Sequence, residues 1–401
     1  MARQAALAAC LVLLGLKCWS FASWQLLRPV LCNRGDARLR AADEKGDATP
    51  AVWSPGPAKL ATRPAKRAMK HLQYDPLLVL FDQTVKEEFK HLSSQRAKSE
   101  ARARSSPPGA IGEAFGLATL RNRISEIKRK ERLKTASELM YLMVASMFKY
   151  LEVPFIPALK SGGLVRLDMD GEQLRGLTEI YSMEALELVR DHLFNIVKEE
   201  ARTPAPALRI ALYQAGQVYA MSALFGYYLR RADVRYQLDK LVSYDVQEEP
   251  DPDESGRKRH RRPVPRWMEL AWAQSETRGD MSLKDYIQNF GPEELRQIRS
   301  LASAEAQAVM ELQVSGLFGN LRVLKSRLLE ALEGAENEQE ATERLQQALA
   351  EGKVKSISIS YDNLRRLILE AVAFGSALFD AEREVDSFYE LTPTDRRDLD
   401  L

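Results

Sequence analysis

The chain has 401 residues, of which 45% are hydrophobic and 28% are charged, with 58 Lys and Arg against 56 Asp and Glu. A chain of this length and hydrophobic content can bury one or two ordinary cores, which excludes a wholly disordered protein. The mean hydropathy of -0.33 excludes a polytopic membrane protein, and the composition excludes collagen, coiled-coil and disulfide scaffolds.

The first 22 residues have the organisation of a secretory signal peptide. Arg3 provides a positive charge, residues 5–16 form an apolar run, and Ser20 and Ala22 place small side chains before a cleavage point. The apolar run is shorter than the roughly 20 residues that a membrane-spanning helix needs. We therefore expect a signal peptide at residues 1–22.

Residues 23–70 are basic and contain several prolines, a composition typical of a transit peptide. Residues 1–70 carry 12 Lys and Arg against 4 Asp and Glu, so the remaining chain is mildly acidic, with 46 against 52. This arrangement resembles the bipartite presequences of algae with secondary plastids, in which a Phe such as Phe21 lies at the junction. It predicts import into a plastid (chloroplast) through the secretory route. The alternative is a secreted protein with a disordered basic arm.

Cysteine and histidine, which provide most thiol, metal-binding and imidazole chemistry, are scarce in this sequence. The cysteines are Cys10, Cys18 and Cys32, all in the predicted presequence, so the mature chain has no thiol for a disulfide, a nucleophile or a cysteine metal site. The four histidines include no pair at the i,i+3 or i,i+4 spacing. The sequence also has no Walker A, dinucleotide-binding, nucleophile-elbow or EF-hand motif. We therefore predict no catalytic residue, no metal site and no cofactor.

An N-terminal helix and linker are predicted at residues 71–115, with an amphipathic helix over residues 77–92. A second, long helix is predicted over residues 117–151, and Pro154 and Pro157 mark its end.

The long helix contains a basic segment at residues 121–134, with seven Lys and Arg against two Glu. Such a segment can follow nucleic-acid phosphates or an anionic lipid surface. The alternative is a solvated helix face whose Leu120, Ile124 and Ile127 pack inward.

Two parts of the chain repeat each other. Residues 171–185 match residues 292–306 at six of fifteen positions with an offset of 121, and residues 212–238 match residues 365–391 with an offset of 153. A charge-rich helical insertion at residues 321–352 accounts for the difference. We predict helical repeat 1 at residues 116–246, a charged linker at residues 247–265, helical repeat 2 at residues 266–391 and a tail at residues 392–401.

Each repeat has the same predicted helices. Ser182 and Ser303 are predicted N-caps of a first helix, and the second helix is more apolar, over residues 210–229 and 367–379. The former run has the length of a membrane span, but its Gln and Ser side chains favour a helix buried inside a bundle.

Short strands are predicted at residues 164–168, after a glycine turn, and at residues 354–360, where isoleucines alternate with serines. The predicted fold is mainly α, with duplicated helical bundle units and minor short β-strands.

Five segments in collinear order resemble a known family. They include MVASMFKYLEVPFIP at residues 143–157 and YAMSALFGYYL at residues 219–229, and the others lie at residues 124–132, 181–192 and 364–375. Together they resemble the domain of unknown function 760 family of plant and algal chloroplast proteins, over roughly residues 120 to 391. The resemblance implies plastid residence. It implies no catalytic residues, because the family has no established chemistry to carry over, and the N-terminal signal departs from the simple transit peptides of land-plant members.

Six residues are candidates for a groove between the repeats. Arg230, Asp233 and Tyr236 have the spacing of Arg383, Asp386 and Tyr389, which places each set on one helix face. Paired about a pseudo-twofold axis, the six could hold a small anionic ligand or a partner helix. The alternative is that Arg and Asp form an i,i+3 ion pair while Tyr packs and hydrogen-bonds.

The prediction for function is a non-enzymatic plastid helical protein that acts as an interaction or regulatory module. One alternative is an enzyme or small-ligand carrier that uses the groove, and another is nucleic-acid or membrane-surface binding through residues 121–134. We expect protein partners and no transmembrane span in the mature chain. Peripheral membrane contact is a secondary expectation, and the acidic mature chain argues against nucleic acid. His192, a lone imidazole, is expected to be structural.

Overall fold

The structure is a computed structural model, and it describes residues 55–75, 77–105, 114–159, 161–162, 164–165, 180–197, 208–247, 281–292, 303–335 and 337–393. The predicted signal peptide, the predicted linker after residue 247 and the tail after residue 393 lie outside these residues. The described chain is helical with a few short strands, which confirms the prediction of a mainly α fold.

The helices of the described residues are α1 (Arg63–Tyr74), α2 (Val79–Ser105), α3 (Ala114–Tyr150), α4 (Met183–Val197), α5 (Leu212–Gln247), α6 (Leu283–Gln288), α7 (Ala304–Phe318), α8 (Leu321–Leu332), α9 (Glu338–Ala350) and α10 (Tyr361–Asp386). The strands are β1 (Leu164–Val165), β2 (Leu208–Ala211) and β3 (Ser356–Ile359).

The three strands form one small sheet in the order β1-β3-β2. β1 is parallel to β3, whereas β2 is antiparallel to it, with Leu208 opposite Ile359. β3 confirms the strand predicted at residues 354–360, and β1 confirms the start of the strand predicted at residues 164–168, whose last three residues lie outside the described ones.

β2 was not predicted from the sequence. Its residues were predicted to begin the apolar helix at residue 210, but the helix begins at Leu212. The cause is tertiary, because Ile210 pairs with Ile357 and the amide of Leu212 donates to the carbonyl of Lys355 at 2.8 Å. A distant strand therefore overrides the local helical pattern.

α5 and α10 cross where their backbones touch. A Cβ atom on Gly226 would lie 2.1 Å from the carbonyl oxygen of Val372, and a Cβ atom on Gly375 would lie 1.8 Å from the carbonyl oxygen of Ala223. Any larger residue would force the helices apart, so glycine sets the distance between them.

The remaining helices pack around this pair. α2 buries Phe81, Val85, Phe89 and Leu92 at helical spacing, which confirms the predicted amphipathic helix. The predicted long helix is present as α3, and its second half is buried over residues 136–145 and at Phe148. The predicted helical insertion is present as α8 and α9.

The N-terminal segment predicted to be transit-like is folded from residue 55. Glu138 of α3 is buried, and its carboxylate accepts from the amides of Ala61 and Thr62 at 3.1 and 2.8 Å, at the start of α1. Gly56 lies against the Tyr141 hydroxyl with a φ of 96°, a conformation that favours glycine. The predicted boundary at residue 70 would cut through this packed segment. Residues 55–401 carry 51 Lys and Arg against 52 Asp and Glu, so this part of the chain is nearly neutral rather than acidic.

A 15-residue helix, a strand and a long helix occur in this order twice, as α4-β2-α5 and as α7-β3-α10. The predicted N-caps are present, since the hydroxyls of Ser182 and Ser303 accept from the amides three residues later at 3.2 and 3.1 Å. The carboxylate of Asp233 also accepts from the Ser182 amide, and that of Glu382 accepts from the Ser303 amide.

These equivalent contacts match residues of α5 with residues of α10 at a different offset from the sequence match. Asp233 and Glu382 are 149 positions apart, as are Gly226 and Gly375, whereas the match at an offset of 153 paired Asp233 with Asp386. The sequence alignment of the long helices is therefore about one helical turn out of step with the contacts. The internal duplication itself stays a prediction.

Gly375→Ala and Gly226→Ala are expected to destabilise the protein by about 3 kcal/mol each, because the added methyl group meets backbone atoms. The matched control is Gly216→Ala, also in α5, whose methyl group would meet the flexible side chain of Leu321. We expect the control to change stability by less than about 1 kcal/mol. Urea unfolding of the three variants checks this, and equal effects at all three positions would contradict the crossing.

Candidate functional site

The first predicted set of site residues lies on α5, where Arg230 and Asp233 contact the residues just before α4. Arg230 donates from Nε to Asp380 at 3.1 Å and bonds the carbonyl of Ile180, and its Nη1 is 4.0 Å from Asp233. Asp233 is buried and accepts from the hydroxyl of Ser182 at 2.7 Å. These polar groups are therefore used within the fold.

Tyr236 is also used within the fold, since it is buried and donates to the carbonyl of Met281 at 2.6 Å. In the second set, Arg383 and Asp386 are exposed, whereas Tyr389 is buried against Phe89 with ring centroids 5.2 Å apart. No described contact joins the two sets. The first set has the features of the alternative, an Arg and Asp pair beside a packed tyrosine.

His192 is buried beside an aromatic ring. It stacks on Phe225 with a centroid distance of 4.1 Å, and its Nε2 lies 3.1 Å from the hydroxyl oxygen of Ser222. Burial lowers the pKa of His192 to about 4, so the imidazole is neutral at physiological pH. These contacts fit the structural role expected for this residue.

Residues 119–134 of α3 differ from the rest of the described structure, because nearly all of their side chains are exposed. We call residues 119–134 the basic arm. Its apolar residues Leu120, Ile124 and Ile127 are 53%, 44% and 49% exposed, so they do not pack inward. The predicted alternative of an inward-packed stripe is therefore wrong. No described part of the chain covers it.

The charges of the basic arm are arranged about this apolar stripe. At about 100° per residue, Arg121, Lys128 and Arg132 lie to one side of the stripe, and Arg123, Lys130 and Lys134 lie to the other. Of its two carboxylates, Glu126 is bound by Lys130 at 2.8 Å, and this contact lowers the pKa of Glu126. The result is a narrow apolar face between two cationic rows.

The described residues lack two further features. These residues contain no group of three or more His, Cys, Asp and Glu side chains placed to hold a metal ion. Among the described helices, none combines the length and the hydropathy that crossing a bilayer requires.

A buried polar cluster joins four helices in the core. Tyr141 donates to the side-chain oxygen of Gln313 at 3.0 Å, and the amide nitrogen of Gln313 donates to Tyr219 at 2.9 Å and to Glu370 Oε1 at 3.3 Å. Oε2 of Glu370 has no hydrogen-bond partner. Burial raises the pKa of Glu370 to about 8, so the side chain is mostly protonated at pH 7.

Of this cluster, only Glu370 stands out in the sequence, because it is a charged residue inside the apolar run at residues 367–379. The others, Tyr141, Tyr219 and Gln313, come from distant parts of the chain and share no motif. All four side chains belong to residues that are at most 5% exposed, so a substrate could reach them only if the helices parted. The cluster is suited to holding α3, α5, α7 and α10 in register.

The buried acid predicts a pH dependence of stability. Between the ordinary carboxyl pKa of 4.5 and about 8, the folded protein keeps the Glu370 proton that the unfolded chain releases. Stability therefore falls as the pH rises through this window, by up to about 1.4 kcal/mol per pH unit. In Glu370→Gln this contribution disappears, so the variant gains stability relative to wild type from pH 5 to pH 8.

Urea unfolding at pH 5, 6.5 and 8 measures this gain, with Glu384→Gln at an exposed position of α10 as control. A gain that does not change with pH would contradict the buried, protonated state of Glu370.

The chain is similar to a protein family and to a plant protein. A family model described as protein of unknown function (DUF760) matches residues 164–242 and 282–386, which contain most of α4 to α10 and lie after the basic arm. The chain is 29% identical over 285 residues to the UV-B-induced chloroplast protein of Arabidopsis thaliana. This match covers 67% of the chain and 63% of the relative, so the chain spans less than two thirds of that protein. No solved structure matches. The chain is therefore similar to the DUF760 family over residues 164–242 and 282–386.

Proposed function

We propose that this protein is a non-enzymatic interaction module of plastids and that the basic arm is its contact surface for an anionic partner. One observation carries the proposal: Leu120, Ile124 and Ile127 are exposed on a helix that also presents two cationic rows. Half-exposed apolar side chains in a row indicate a surface that a partner covers. Because the rows are cationic, they favour a partner with a negatively charged surface.

The alternative of an enzyme or ligand carrier has less support. The polar atoms of the first set, Arg230, Asp233 and Tyr236, form hydrogen bonds within the fold. In the second set, by contrast, Arg383 and Asp386 are exposed to solvent. The buried cluster around Glu370 is closed by the helices that it joins. Neither arrangement offers a reacting group beside a space for substrate.

Plastid residence is supported by two independent features. The Arabidopsis relative carries the designation chloroplastic in its name, and the N-terminal residues have the order of a signal peptide followed by a basic segment. We propose that import follows the secretory route and that all cleavage occurs before Pro55. The packing of Gly56 against the Tyr141 hydroxyl and the bonds of Glu138 to Ala61 and Thr62 support this limit, since later cuts would remove first this packing and then these bonds.

The first test of the proposed function asks whether the arm retains the protein in an assembly. Leu120, Ile124 and Ile127 are replaced by Ser in the full chain, which is expressed in its own cells. The matched control is Val323→Ser with Leu329→Ser, which removes exposed apolar side chains from α8.

Sedimentation of lysed plastids is then compared. We expect wild type and control to sediment with an assembly, and we expect at least a fivefold lower sedimenting fraction for the arm variant. Wild type that is entirely free, or an arm variant that sediments like wild type, would refute the proposal.

The second test concerns the presequence. We expect a fluorescent fusion of residues 1–54 to enter the plastid, and we expect replacement of Leu11, Leu14 and Leu16 by Asp to block entry into the secretory route. Mass spectrometry of the mature protein should find its N-terminus at or before Pro55. A mature N-terminus after Pro55 would contradict the limit, and a fusion secreted from the cell would contradict plastid import.

A further inference from the structure

We infer that the basic arm binds the surface of a lipid bilayer that contains anionic lipids, lying parallel to that surface. This inference rests on the proposed function and names the partner of the same helix. The juxtaposition that carries it is the exposed stripe of Leu120, Ile124 and Ile127 between two rows of Lys and Arg.

The angular arrangement fits a bilayer interface. The six flanking cations lie about 50° to 115° from the centre of the stripe, three on each side. A helix lying in the interface places its apolar side chains among the upper acyl chains, and its long basic side chains then extend sideways to the headgroups. Arg129 lies on the side away from the stripe and faces water in this orientation.

The length of the stripe favours binding at the surface rather than insertion. It holds three residues over about two turns, and Glu131 follows Ile127 on the same face. So little apolar area gives weak binding by itself, which makes the reaction dependent on the cations and on anionic lipid. Each Lys or Arg near such a surface adds roughly fivefold in affinity.

The charge of the remaining chain orients the protein. The segment 121–134 carries seven Lys and Arg against two Glu, whereas the rest of residues 55–401 carries 44 Lys and Arg against 50 Asp and Glu. An anionic surface therefore attracts the arm and repels the remainder, so the protein approaches with the arm first.

Other occupants fit less well. A second copy of the arm would bring like charges together. Residues 119–134 contain no aromatic side chain on which a nucleic-acid base could stack, and a nucleic-acid backbone would leave the apolar stripe uncovered. A protein with an acidic groove is the remaining occupant, and the experiment below distinguishes it.

The test is flotation of the mature chain, purified from its own cells, with vesicles of phosphatidylcholine alone or with 30% phosphatidylglycerol. We expect binding to the anionic vesicles only, and at least tenfold weaker binding when the salt concentration rises from 50 to 500 mM. Replacing Arg121, Arg123 and Lys128 by Gln should lower the affinity about 100-fold. Replacing Leu120, Ile124 and Ile127 by Ser should lower it at least tenfold.

The matched control replaces Arg322, Lys325 and Arg327 of α8 by Gln, which removes the same charge from another exposed helix face. We expect this control to bind within threefold of wild type. Urea unfolding midpoints verify that every variant is folded, as expected from the exposure of the replaced side chains.

Two results overturn the inference: no binding to anionic vesicles, or equal losses in the arm and control variants. If the arm variants nevertheless leave the sedimenting assembly of plastids, the proposed function survives and the partner is an acidic protein. If wild type neither floats with vesicles nor sediments with an assembly, both the inference and the proposed function fail.

Discussion

The contact between the backbones of α5 and α10 is the constraint on which the rest of the fold depends. Gly226 and Gly375 allow each helix to touch a carbonyl group of the other. Tyr181 and Ser376 fill the space beside the crossing, where their hydroxyls approach the carbonyls of Gly226 and Val372 at 3.0 to 3.4 Å. Since β2 and β3 lead directly into these two helices and pair with each other, the sheet and the crossing fix one arrangement together.

Local patterns in the sequence predicted the elements whose causes are local. Helical spacing and prolines located α3, and the capping serines located α4 and α7. β2 was missed because its partner is almost 150 residues away, and the folded segment at residues 55–62 was missed because its partner, Glu138, lies 76 residues after Thr62. The sequence match of the two long helices was displaced by about one helical turn. It paired Asp233 with Asp386, whereas the residue that accepts from the capping serine in the second unit is Glu382.

For the basic arm, too, the sequence alone could not predict the tertiary contacts. Charge and apolar spacing alone allowed the basic segment to be either a solvated face of a packed helix or a free arm, because both need an amphipathic pattern. The choice depends on whether another element lies against Leu120, Ile124 and Ile127, which only the tertiary structure reveals. The six predicted groove residues have a related limit, because equal spacing puts residues on one helix face but does not specify what that face meets.

The most direct measurement of the central claim is hydrogen–deuterium exchange of the mature chain, with and without vesicles that contain phosphatidylglycerol. Exchange measures the stability of each segment separately. In the isolated chain we predict fast exchange over residues 119–134 and slow exchange over residues 136–148, and we predict slower exchange of the arm when anionic vesicles are added. Equally slow exchange of both halves of α3 in the isolated chain would contradict the account, because it would show that the arm is already covered.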